Sequence, residues 1–355
     1  MRAAEALHRA LVPWYRRHRR DLPWRRTSEP YLVWVSEVML QQTTVRSATP
    51  YYEAFVARFP TVAALAQAPE EEVLAAWSGL GYYHRARNLQ RGARHLLDHH
   101  AGLFPRTLEA ALAVPGVGLY TASAVLSIAR GVPLPVVDGN VRRVLGRLFA
   151  LRGPEWTKDA PYYNRAQEIL DADHPGEWNQ GLMELGATLC TPRQPACPAC
   201  PVRDFCAARA LGLQEALPEA RARRATVEVT VAAAYVEREG RVLLVRRREG
   251  ALMGRFWEVP QTSLASRGRD DLERELRETH GLEVVAGALL GQARHAITFR
   301  RIRAEAYAAR LRREPVADPD RFTWAGPDDL APLPMSSLTR KIIRAAENRQ
   351  RPLRL

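Results

Sequence analysis

At 355 residues, 46% hydrophobic and 26% charged, the chain has material for a packed core and length for two or three domains. No run approaches the roughly 20 apolar residues of a membrane span. The N-terminus MRAAEALHRALVPWYRRHRR lacks a signal peptide's apolar run and small-residue cleavage site, so a cytoplasmic protein without membrane partners is expected. The net charge of +13 suits a polyanionic partner. Of the 52 Lys and Arg residues only Lys158 and Lys341 are lysines, so Schiff-base chemistry would have two candidates.

Residues 1 to about 206 read as helices separated by Pro and Gly breaks, beginning with an amphipathic helix at the N-terminus. YLVWVSEVMLQQT is a mostly apolar helix that carries one acid, Glu37. That residue either faces solvent or faces a cleft, where burial would raise its pKa and make it a proton donor. TLEAALAVPGVGLYTASAVLSIAR (107–130) reads as helix, tight turn, helix. Its turn, Val114 to Gly118, is either an ordinary helical hairpin or a phosphate-binding one, with Gly116 and Gly118 allowing close backbone approach. In VVDGNVRRV, Asp138 precedes a helix bearing Arg142 and Arg143 and suits an N-cap. Paired with Glu37, it would also suit a reaction that protonates a leaving group and stabilises positive charge on a sugar.

All the cysteines, Cys190, Cys197, Cys200 and Cys206, fall within 17 residues as C-x6-C-x2-C-x5-C. In a cytosolic chain this argues for metal over disulfides. Structural zinc usually takes two separated C-x2-C knuckles, whereas four thiolates in one compact loop suit a cubane iron–sulfur cluster, with zinc as the alternative. A linker, 207–225, is rich in Ala, Arg and Pro. Beyond it VEVTVAAAYVE and RVLLVRR are β-like, DDLERELRETHG helical and ITFRRIRAEAYAARL β-like, which predicts an α+β domain over 226–355. The arginine clusters at 16–20 and 221–224 are solvated faces or phosphate contacts.

In RDLPWR (20–25), WVSEVMLQQT (34–43), WSGLGYYHRARNL (77–89), VPGVGLYTA (114–122), VVDGNVRRV (136–144), WNQGLMELGATLC (178–190) and the cysteine loop, the chain resembles the MutY adenine DNA glycosylases of the helix-hairpin-helix superfamily. The resemblance implies a mainly α glycosylase domain, 1–206, with its iron–sulfur cluster loop at 190–206, and an α+β Nudix-like domain, 226–355. It implies a [4Fe-4S] cluster on the four cysteines. The implied activity is base excision of adenine mispaired with 8-oxoguanine or guanine in double-stranded DNA, by a monomer. Glu37 would protonate adenine N7 and later activate water, Asp138 would stabilise the oxocarbenium-like sugar, and Tyr120 would sit in the catalytic pocket. Trp24, Arg25, Leu40 and Gln180 would line or read the adenine pocket. Gln42 and Tyr82 would wedge into the duplex as the base leaves the stack.

Relatives that also cut the backbone carry a Schiff-base lysine two residues after the second turn glycine, where this chain has Tyr120. A lysine seen in many adenine glycosylases, four residues after the catalytic aspartate, is Arg142 here, which stays protonated. A monofunctional enzyme is expected. The Nudix metal box is broken: aligned on Arg274-Glu275-Leu276, Pro260 replaces a Gly, and Ser266 and Thr279 replace glutamates. Recognition of oxidised guanine is therefore expected of this domain in place of pyrophosphate cleavage. Where the family carries Phe-Ser-His, this chain has Ile297-Thr298-Phe299, with Thr298 as the candidate contact to the oxidised base or a phosphate. A thymine–guanine glycosylase, a lesion sensor without catalysis and a nucleotide pyrophosphatase are the alternatives. The Nudix-like domain argues against the first, the two acids against the second, and the broken box against the third.

Overall fold

The computed structural model describes residues 2–219, 225–247, 256–263, 265, 268–315, 318–330 and 333–350. The 221–224 arginine cluster and Ser266 lie outside them. The chain divides into two compact units. One is Met1–Glu70 with Arg85–Ala222, and the other is Glu71–His84 with Arg223–Leu355.

Among its described residues the first unit holds helices and short 3-10 turns but no strand. The N-terminal helix Arg2–His18 places Leu7, Leu11 and Tyr15 four residues apart on one face. They bury against Val141 and Leu145 of the helix Gly139–Leu148, and Trp178 and Leu182 of the helix Pro175–Thr188. Cys190, Cys200 and Cys206 pack on the edge of the same core. The helix Pro30–Leu40 opens with proline, whose missing N–H costs nothing in a first turn. Nine of its 11 residues are buried, Glu37 among them. A helix apolar on all sides belongs in the interior, and this one packs on the helix Leu119–Arg130.

The expected hairpin is formed by the helices Leu108–Leu112 and Leu119–Arg130. Thr107 caps the first, its hydroxyl accepting from the Ala110 N–H at 3.3 Å. The second ends at Gly131 (φ +67°), where the Gly131 and Val132 amides donate back to Ser127 and Leu126.

The second unit carries a six-stranded sheet. Its strands are β1 Val227–Arg238, β2 Arg241–Arg246, β3 Trp257–Glu258, β4 Val284–Ile297, β5 Arg300–Leu311 and β6 Phe322–Ala325. The order is β3-β2-β1-β5-β4, with β6 also paired to β2; β1 and β5 are parallel and the other pairs antiparallel. Alternation along β1 sends Ala232, Ala234 and Val236 to one face, under Leu272 and Leu276 of the helix Arg269–His280. Val231, Ala233 and Tyr235 go to the other face, with Leu338 and Ile342 of the helix Ser337–Gln350. β4 and β5 form a hairpin whose two-residue tip is Thr298-Phe299. No helix among the described residues is long and apolar enough to cross a membrane.

Candidate active site and cysteine loop

Glu37 is 5% exposed and accepts a 2.6 Å hydrogen bond from the Tyr120 hydroxyl. Burial drives its carboxyl up to about 7, the Tyr120 bond pulling it down, the Asp138 charge raising it and Arg25 lowering it. Near neutral pH the group can therefore give a proton and take one back. Tyr120 is itself held well above its usual pKa, by burial first and then by the Glu37 and Asp138 charges, so it remains a phenol. The Tyr120 oxygen also lies 3.8 Å from Met183 Sδ.

Asp138 caps the helix Gly139–Leu148, accepting from the Val141 N–H at 2.6 Å and from Asn140 Nδ2 at 2.9 Å. Burial raises its pKa, opposed by these donors and by Arg143. Arg143 Nη2 donates to Asn140 Oδ1 at 2.9 Å and to the Gly186 carbonyl at 2.7 Å, and its Nε to the Cys190 carbonyl at 2.7 Å. N-cap and charged partner of Glu37 are thus one residue.

Of the pocket candidates, Arg25 is drawn in through an acid that sequence reasoning passed over. Glu184, whose side chain is fully buried, receives Arg25 Nη2 at 2.9 Å and Arg20 through Nε and Nη2 at 2.8 and 2.7 Å. Burial would raise its carboxyl, but the two guanidiniums prevail and hold it at about 2. Arg25 also lies over the Tyr15 ring, 5.5 Å from its centroid, and the Tyr15 hydroxyl donates to Gln180 Oε1 at 2.9 Å. Glu184 follows Gln180 by four residues on one helix, a spacing that would have placed the two on one face. Trp24 is buried edge-on against Tyr52, with ring centroids 5.3 Å apart, and Leu40 is half-buried at the end of its helix.

The two wedge candidates share a backbone signature. Gln42 (φ +57°) and Tyr82 (φ +48°, 38% exposed) are left-handed non-glycine residues on the surface. That conformation costs of order 1 kcal/mol and persists where the surroundings impose it. Around Gln42 the imposing residue is Arg85. Its buried guanidinium donates to the Val38 and Met39 carbonyls, each at 3.0 Å, and to the Gln41 carbonyl, closing the turn. Thr298 shares the signature at the β4–β5 tip (φ +52°), where its hydroxyl donates to the Ile297 carbonyl at 2.7 Å.

The hairpin glycines differ. Gly116 has φ +81°, and a Cβ there would lie 2.5 Å from that of Asn88. Its role includes internal packing, which the sequence did not suggest. Gly118 has open space where its Cβ would be and precedes a helix start without a side-chain cap. Arg142 does not point toward free space: Nη1 bonds Asp159 Oδ1 at 2.5 Å and the guanidinium lies 4.3 Å from the Tyr162 centroid.

All four cysteines line one small cavity together with Arg147, Leu189 and Gln214. No group of three or more His, Cys, Asp or Glu side chains among the described residues is placed to hold a single metal ion. Burial, with the three other thiols adding to it, pushes the Cys200 thiol up to about 12. A bound cationic centre would hold such a group as a thiolate at neutral pH. The donor set and its spacing around a volume fit an iron–sulfur cluster.

Comparison with known proteins agrees with this geometry. Residues 35–166 match the HhH-GPD superfamily of base excision DNA repair proteins, 190–206 the iron–sulfur binding domain of endonuclease III, and 231–345 a NUDIX domain. The human adenine DNA glycosylase is 34% identical over 97% of this chain and 74% of its own length. The mouse adenine DNA glycosylase is 33% identical over 97% and 78%. Among solved structures, a thermostable thymine-DNA glycosylase superposes with a TM-score of 0.53 and 28% identity, over 59% of this chain and 97% of its own. Endonuclease III trapped on DNA shares the fold at TM-score 0.51 and 24% identity, over 59% and 98%.

Proposed function

The chain belongs to the adenine DNA glycosylase family of base excision repair, and from that premise we propose that it hydrolyses the N-glycosidic bond of adenine opposite 8-oxoguanine, and also opposite guanine. Its cofactor is a [4Fe-4S] cluster, which would be held by the 190–206 loop, where Cys190, Cys200 and Cys206 pack on the helical core. We assign its ligation to Cys190, Cys197, Cys200 and Cys206.

The observation that carries the proposal is the buried Glu37 carboxyl, held by Tyr120 and raised to about 7. In this reading Glu37 gives its proton to adenine N7, and the C1′–N9 electron pair leaves with the base. The sugar's positive charge is met by Asp138. Water then adds its oxygen to C1′ and returns a proton to Glu37. Each carboxyl has the state its task needs: one poised to protonate, the other kept oriented by backbone and amide donors.

We assign the remaining roles on the resemblance to the family. Arg25 and Gln180, joined through Tyr15, read the adenine, with Trp24 and Leu40 as apolar walls. Gln42 and Tyr82, each on a left-handed backbone, wedge into the duplex as the base leaves the stack. The helix start after Gly118, with Gly116 shaping the turn, takes a DNA phosphate. Residues 1–206 form the catalytic domain and 226–355 the domain that inspects the opposite base, with Thr298 at its hairpin tip. The protein acts as a cytosolic monomer on duplex DNA. The test is a panel of duplexes carrying A, T or C opposite guanine or 8-oxoguanine, followed by alkaline cleavage of abasic sites. Excision of adenine opposite 8-oxoguanine as the fastest reaction supports the proposal, and preferential excision of thymine opposite guanine overturns it.

A further inference from the structure

Arg147 is 2% exposed and forms no ion pair among the described residues. Its Nε donates to the Leu217 carbonyl at 2.8 Å, Nη1 to the Thr191 carbonyl at 2.7 Å and Nη2 to the Pro192 carbonyl at 3.1 Å. These three carbonyls aim a fourth contact, Nη1 to Cys190 Sγ, at 3.3 Å. A buried guanidinium without a carboxylate is costly unless an anion stands nearby. Four thiolates around a cluster supply that charge.

A second group on the cavity wall lacks a partner. The buried amide oxygen of Gln214 has no hydrogen bond, and Gln214 lines the cysteine cavity. Its neighbours are pinned in place. The Leu213 amide donates to the Ala208 carbonyl at 2.7 Å, Glu215 Oε1 accepts from the Gln194 N–H at 3.1 Å, and Leu217 accepts from Arg147. The segment after the last cysteine is thereby folded back over the loop. An acceptor facing thiolates and sulfides finds nothing to bond. The two ends of an amide occupy the same volume, and a half-turn about the last side-chain bond exchanges oxygen for NH₂.

We propose that Gln214 turns its amide N–H onto the cluster, completing with Arg147 a donor shell that raises the cluster's reduction potential. Donors to cluster sulfurs stabilise the more negative, reduced form, and such contacts are among the features that set these potentials. The proposal rests on the four cysteines being the ligands.

The test is voltammetry of the full-length, cluster-loaded protein, with iron content measured on the same samples and the electrode exchanging the one electron. Gln214→Leu, which fills the same space without a donor, should keep about four irons per chain. Its potential should fall by about 59 mV, the equivalent of a tenfold weaker hold on the reduced form. Gln214→Glu, which sets an acceptor there, should fall further. Full iron with an unchanged potential in both variants overturns the proposal. If both lose iron while the helical far-UV signal stays intact, the side chain serves to retain the cluster and not to set its potential, which also overturns the proposal. An unaltered chain that binds no iron would instead overturn the cysteine assignment.

Discussion

The Tyr120 hydroxyl, on the helix Leu119–Arg130, donates to Oε2 of Glu37, on the helix Pro30–Leu40, across 2.6 Å and 83 positions of sequence. The bond opposes burial. Burial favours the neutral acid, and a phenol donor favours the carboxylate, so together they leave the group near neutrality.

Replacing Glu37 by Gln should abolish this chemistry while leaving the pocket's shape. Loss of a general acid typically costs about 10²–10⁴-fold in rate. Single-turnover excision should fall by at least that much, with duplex affinity within a few-fold of the unaltered chain. Excision at near-normal rate would remove Glu37 from the acid's role.

The acid must be protonated to act, so kcat/KM should decline as pH rises through about 7. Tyr120→Phe deletes the donor that lowers the Glu37 pKa, so the decline should move to higher pH. An acid-side displacement, or no limb at all, would contradict the pairing. Stability follows the same sign: folding raises this pKa, so the contribution of Glu37 is present at acid pH and lost as pH rises through about 7.

Glu184→Gln leaves the Arg20 and Arg25 guanidiniums without their shared carboxylate. Breaking a buried pair from one side costs about 3–5 kcal/mol, so the urea midpoint at pH 7 should drop well below that of the unaltered chain. The carboxyl's pKa is depressed to about 2, so its stabilisation is full above the ordinary carboxylate range and lost only as pH falls toward 2. An unchanged midpoint would mean the arginines find other partners.

At the β4–β5 tip, Thr298→Gly removes a hydroxyl and relieves a β-branched residue of a left-handed backbone. Thermal stability should rise slightly while the preference for 8-oxoguanine over guanine falls by roughly 0.5–1.5 kcal/mol, one hydrogen bond's worth. Thr298→Ala should lose the same preference without the gain. An unaltered preference in both would place recognition elsewhere.

Strand scission without added alkali should be negligible, and borohydride should trap little enzyme–DNA adduct. Position 120 holds a tyrosine, and Arg142 is bound to Asp159 and Tyr162. Efficient trapping would implicate Lys158 or Lys341.

Local patterns were legible in the sequence wherever the chemistry is local. Four cysteines within 17 residues form one loop because the chain between them is too short to do otherwise. The helix–turn–helix at 107–130, the alternating strand at 227–238 and the N-cap at Asp138 follow from turn residues, period and cap preference. The resemblance to adenine glycosylases rested on such short, ordered motifs.

Which way a side chain faces was another matter. Glu37 lies on a helix with no polar side, so its period could not say whether the acid met solvent or protein. Burial and the Tyr120 hydroxyl, arriving from a distant helix, decided that, and with it the pKa. Likewise Glu184 is one more acid in WNQGLMELGATLC until Arg20 and Arg25 converge on it. Gln214 lies in a stretch that composition marks as linker until Arg147 and Gln194 draw its neighbours over the cysteines. Periodicity and spacing set local conformation because backbone bonding reaches only a few residues, whereas charge, burial and proton affinity depend on neighbours that only chain folding brings within a few ångströms.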